Sequence, residues 1–192
     1  MTPSRQPLSV YRPSVPEGFE WILPEDVADF ETLRRLGGTS CLTTWKPIRV
    51  QVLRVNELGH VRRPADLPWL GAHLLVLSPR AVDVLGERLR PYGELLPLSC
   101  PDNEYVVFNP LRIVSALDEE ASDLIRFPSS GRVMKIARHV FRPSALDGAQ
   151  IFKIPQLRSS MYLTSEAANA IGASGLQGTE LRHVWSETPE QT

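Results

Sequence analysis

A chain of 192 residues, 42% hydrophobic and 22% charged, is long enough to bury one sizeable core and has the composition of an ordinary globular domain. Its 21 basic and 22 acidic residues leave a formal net charge of -1, which excludes a global field that would draw in nucleic acid or an anionic membrane. No stretch approaches the roughly 18 apolar residues of a transmembrane helix, and MTPSRQPLSVYRPS lacks the apolar run of a secretory signal, so the expectation is a cytoplasmic protein.

In chain order, the proline-rich residues 1–18 read as an extended N-terminal arm, with a short strand around Ser9 to Arg12. A single α+β domain is expected over 19–186, and a frayed tail over 187–192. Pro24 opens the first predicted helix, Glu25, Asp26 and Asp29 place negative charge on its first turns, and Val27, Phe30, Leu33 and Leu36 form its apolar stripe. Gly37 and Gly38 end it. Ile48 to Val55 alternates apolar and polar residues, the pattern of a strand with one wet face. His73 to Leu77 is a buried strand running into Ser78-Pro79, where serine caps and proline occupies the first turn of a helix with Val82, Leu85 and Leu89 on one side.

From Glu94 to Ile154 the rhythm changes to short strands, ELLPLSC, EYVVFNP, LRIVSAL, DLIRF, RVMKIARHVF and IFKI, separated by turns rich in Pro, Asp, Asn and Gly. A last helix starts at Ser165 with Ala167, Ala168 and Ile171 inward, and Glu180 to Trp185 closes the fold as a strand. Few helices between groups of strands, without a repeated strand-helix-strand rhythm, predict an α+β fold: a mainly antiparallel sheet with about three helices packed on it.

The chemistry of a catalytic centre leaves no local mark. Gly172 to Gly178 follows a helix instead of opening one, so it reads as a chain reversal and not a phosphate loop. His60, His73, His139 and His183 stand alone, with no HxH or HExxH spacing, and Cys41 and Cys100 are too few for a thiolate metal site, so neither metal nor cofactor is expected. Both cysteines read as reduced and buried. Arg34-Arg35 and Arg62-Arg63 are isolated doublets without interleaved aromatics, so no nucleic-acid stripe is expected. Asp118-Glu119-Glu120 with Asp123 presents four carboxylates within six residues, either a solvated turn or a contact surface for a basic partner. Trp45 and Trp69 sit in proline-flanked segments, TTWKP and LPWLG, where tryptophan serves either as core or as an interface anchor.

The order of segments carries a resemblance. Gly18-Phe19-Glu20-Trp21, Trp45-Lys46-Pro47, Asp66-Leu67-Pro68-Trp69-Leu70-Gly71, Leu77-Ser78, Phe108 to Asp118, His139-Val140-Phe141 and Ile151 to Pro155 together resemble the immunity proteins of bacterial polymorphic-toxin systems. The specific likeness is to the family numbered eleven in that series, formerly a domain of unknown function, and it covers about Tyr11 to Trp185. The resemblance implies a non-enzymatic protein whose partner is a cognate toxin, possible nucleases among them, and it brings no site residue with it. Charge and exposed tryptophan therefore nominate the contact surface, as Asp118, Glu119, Glu120 and Asp123 with Trp45 and Trp69. The rival readings are a hydrolase-like enzyme whose groups converge only in three dimensions, and a module binding some protein unrelated to toxins.

Overall fold

The computed structural model describes residues 7–70 and 74–187. Its strands are Ser9–Ser14 (β1), Trp21–Pro24 (β2), Ile48–Leu53 (β3), Leu75–Leu77 (β4), Gly93–Ser99 (β5), Val106–Pro110 (β6), Asp123–Arg126 (β7), Val133–Arg138 (β8), Ile151–Phe152 (β9), Tyr162–Thr164 (β10) and Glu180–Ser186 (β11). Its helices are Asp29–Arg34 (α1), Pro79–Leu89 (α2) and Ser165–Gly172 (α3). One sheet has the order β2-β3-β5-β6-β4, a second the order β11-β1-β10-β9, and β7-β8 form a separate hairpin. Pairing is antiparallel throughout the named strands except for β3 against β5, where Ile48 lies opposite Leu98. The fold is α+β, as the grouping of strands predicts.

Period-two alternation explains how the layers stack. In β4, Leu75 and Leu77 enter one apolar cluster while Val76 enters another, and in β6 Phe108 and Val107 divide the same way. The five-stranded sheet is thus buried on both faces. One face meets Leu33 and Leu36 at α1, and the other meets Leu85 and Leu89 of α2 and Ile171 of α3. The four-stranded sheet repeats the device: Leu163 and Ile151 join the cluster around α2 and α3, while Val10, Phe152 and Tyr162 enter a third cluster capped by Val133 and Ile136 of the β7-β8 hairpin. Helices α2 and α3 therefore lie between the two sheets, with α1 and the hairpin on the outer faces.

Local signals act as expected around α2, where Ser78 Oγ accepts from Ala81 N at 3.3 Å and Pro79 occupies the first turn. Gly178, within the predicted reversal, has φ +103, and a Cβ there would lie 2.5 Å from Ala65 Cβ, so only glycine lets this turn close against residues 65–67.

Several expectations need correction. Pro24 ends β2 instead of opening a helix, because its segment pairs with β3, Pro24 opposite Val50. Helix α1 starts only at Asp29, and Val27, assigned to its apolar stripe, is 79% exposed. LRIVSAL is no regular strand; it makes isolated bridges, Ile113 to Lys153 and Leu117 to Phe141, because the flanking elements leave it no continuous edge. The short strand expected around Ser9 to Arg12 is present as β1 and runs on to Ser14, held between β10 and β11 with Val10 fully buried. The strands β2 and β10 escape sequence reading since each is too short, at four and three residues, to show a period. His73, read as leading the buried strand, and the end of the expected tail lie outside the described residues.

Candidate functional site

A cleft of about 980 Å³ opens between α1 with its lead-in and the segment 41–49. Leu33 and Leu36 fix α1 by inserting into the core, which leaves the polar face of this short helix along the opening. Three acids line it from the lead-in and first turn, Glu25, Asp26 and Asp29, and three bases line it as well, Arg35 from the end of α1 and Lys46 and Arg49 from the facing segment. The backbones of the two sides are joined where Glu25 N donates to Arg49 O at 3.0 Å. Among the described residues none of these six side chains forms an ion pair, and the one side-chain bond within the set is Asp26 Oδ1 accepting from Ala28 N at 2.8 Å.

Trp45 also lines the cleft. Its indole Nε1 donates to Pro97 O at 2.8 Å, and its ring packs on the α1 core, so the half-exposed side chain is locked in one orientation. The wall before it is pinned by Glu94 of β5, whose carboxylate accepts from Cys41 N at 3.1 Å, from Asn109 Nδ2 at 3.3 Å and from Ser40 Oγ. Burial alone would raise the Glu94 pKa, yet these donors outweigh it and hold the group below its ordinary value. Burial, with the same carboxylate adding to it, raises the pKa of the Cys41 thiol. Both cysteines are free and half-buried, less enclosed than the sequence predicts.

A buried lysine sets the far end of α1. Lys153, with no exposed surface, donates through Nζ to Leu36 O at 2.7 Å and to Arg158 O at 2.9 Å; burial pulls its pKa down to about 8. Leu36 lies just past the end of α1, so these two bonds tie the chain leaving the helix to the residue that follows the turn at Pro155–Leu157. Sequence reading had no signal for this, because a lone lysine in IFKI reads as the wet face of a strand.

The acidic segment sits at the other side of that turn and is largely occupied by its own protein. Asp118 Oδ1 accepts from Glu120 N and Ala121 N, each at 3.1 Å, shaping the turn into β7. Glu119 pairs with Arg126 at 2.8 Å and accepts from Gln156 Nε2 at 2.8 Å, and these two contacts lower its pKa. Asp123 takes a forked pair of bonds from Arg138, at 3.0 and 3.2 Å. Glu120 is the one exposed carboxylate of the four without a side-chain partner among the described residues. Beside the segment, Ile125, Phe127 and Met134 of the hairpin are 42 to 47% exposed.

Trp69 is half-buried, and its backbone bridges to Trp21 and Leu75, so the structure brings it to neither the cleft nor the acidic turn. The arginine doublets have individual roles. Arg62 and Arg63 lie over the rings of Trp21 and Phe19, 4.4 and 3.9 Å from the centroids, and Arg34 pairs with Glu31, leaving Arg35 toward the cleft.

His139 is buried against Phe141 and within 3.2 Å of the Tyr162 hydroxyl; burial, with the Arg12 charge adding to it, lowers its pKa to about 4. His183 lies on β11 with Nε2 2.6 Å from Ser186 Oγ, and neither histidine lines the cleft. Among the described residues no three His, Cys, Asp or Glu side chains form a metal-holding group, and no helix is long and apolar enough to cross a membrane. No family model matches the chain, and no curated protein matches it in sequence.

Proposed function

We propose that this chain is an immunity protein that binds a cognate bacterial toxin and neutralises it in the cytosol of the cell that makes both. The observation that carries the reading is the ordered series of segments from Gly18-Phe19-Glu20-Trp21 to Ile151-Phe152-Lys153-Ile154-Pro155. Within the fold these segments are framework: Leu67, Leu70, Phe108, Leu117, Phe141, Phe152 and Ile154 are all at most 2% exposed. The likeness is thus to a scaffold, which suits a protein whose task is to hold a rigid surface against a partner.

Inhibition by such a protein requires no chemistry of its own. A few well-packed anchors ringed by polar groups supply affinity, and opposite charge on the partner accelerates encounter. A side chain already fixed before binding, as Trp45 is through Pro97, loses little further freedom in the complex. The test is co-expression of the toxin encoded beside this chain, with and without the chain. Rescue of growth and co-purification as a complex are expected; toxicity undiminished by the chain overturns the proposal.

A further inference from the structure

We infer that the toxin is held in the α1 cleft, by a polypeptide segment that sets a basic side chain against Glu25, Asp26 and Asp29 and an acidic one against Arg35, Lys46 and Arg49, around the fixed indole of Trp45. The placement rests on the toxin-neutralising reading and names its contact surface.

Elsewhere on the surface some charges are neutralised within the chain, while others, such as Arg88, Arg132 and Arg182, form no ion pair among the described residues. Arg34, Arg54, Arg80, Arg90, Arg126 and Arg138 all have carboxylate partners within the chain. In the cleft, three acids and three bases line a single opening without one pair forming among the described residues. The lead-in to α1 is tied to β3 by the Glu25 to Arg49 backbone bond, the chain leaving α1 is held by Lys153, and residues 40–41 are pinned by Glu94. Side chains of both signs left unpaired around one opening can be met by an outside partner of complementary pattern. The mixed sign selects the occupant. A nucleic acid would be repelled by Glu25, Asp26 and Asp29, whereas a protein segment carrying both signs satisfies both sides. Val27, 79% exposed at the lining, and the Trp45 ring add apolar surface of the kind found at interface centres.

The test uses the full chain and the purified toxin domain encoded beside it, with affinity measured by titration calorimetry. The reversal R35E/K46E/R49E and the substitution Trp45→Ala are each expected to weaken binding at least about tenfold. E119K/E120K is expected to change affinity by less than about threefold, mainly through the association rate. Thermal unfolding checks that each variant folds; if the triple reversal does not, R35Q/K46Q/R49Q replaces it, with protection of residues 25–49 from hydrogen exchange in the complex as a second readout. Wild-type chain that binds the toxin while the cleft variants bind within twofold of it, or with no protection over 25–49, overturns the cleft and leaves the immunity reading standing. Wild-type chain that neither binds nor rescues overturns the immunity reading instead.

Discussion

The acidic turn and the α1 cleft both concentrate charge on the surface, and they dispose of it in opposite ways. At the turn, Asp118 is consumed by backbone amides, Glu119 by Arg126 and Gln156, and Asp123 by Arg138. In the cleft, six charged side chains of both signs share an opening and none pairs. The difference teaches that a run of like charge along a sequence measures density, whereas availability depends on what the fold folds back onto it. At the turn, β8 brings Arg138 across from Asp123, since the two are register partners. In the cleft, no carboxylate or base reaches an ion-pair partner among the described residues.

The acidic turn and the cleft should first part company under acid. His139 precedes Val140, whose carbonyl accepts from Asp118 N at 2.9 Å, so the histidine supports the acidic turn and not the cleft. Its folded pKa, near 4, lies below the ordinary 6.5, so between those values the unfolded chain binds the extra proton and stability falls as pH falls. A loss of about 2–3 kcal/mol is expected by pH 4, absent in His139→Gln, and hydrogen exchange at pH 5 should rise around 118–140 before it rises around 25–49. Equal loosening of both regions would erase the distinction.

Lys153→Met should act on both regions together, because Lys153 holds Leu36 O on the cleft side and Arg158 O beside the turn that carries Gln156. The buried carbonyl of Leu36 and the part-buried one of Arg158, left without a donor, make a loss of about 2 kcal/mol in urea unfolding the expected result. With its folded pKa of about 8 below the ordinary 10.5, wild-type stability should also rise with pH between those values, a slope that the methionine variant lacks.

Asp118→Ala is expected to cost about 1 kcal/mol, through the two amides left without their acceptor. Smallest of all, Glu119→Gln and Lys46→Gln should each shift stability by under about 0.5 kcal/mol, as exposed charges do, with only the first showing coupling to Arg126 in a double-mutant cycle. Coupling of Lys46 to an acid of the cleft would contradict the unpaired state on which the comparison stands.

What the sequence determined by itself was whatever is encoded within one turn of helix or one strand. Ser78-Pro79 set the start of α2, the alternation of Ile48 to Leu53 set β3, and Ala167, Ala168 and Ile171 gave the inner face of α3. The grouping of strands gave the α+β class, and Trp45 was identified as a candidate contact. Only the tertiary structure decided the rest. Pro24 belongs to a strand because β3 offers it an edge, and β1, legible as a short strand, takes its place between β10 and β11 only when those distant segments arrive. Glu25, Asp26, Asp29, Arg35 and Arg49 read individually as ordinary helix and strand surface, and the acidic run at 118–123 reads as the stronger site. Whether a charge is neutralised depends on residues far away in sequence that arrive only when the sheets stack. Local pattern carries no record of that, so the cleft could be found only in the folded chain.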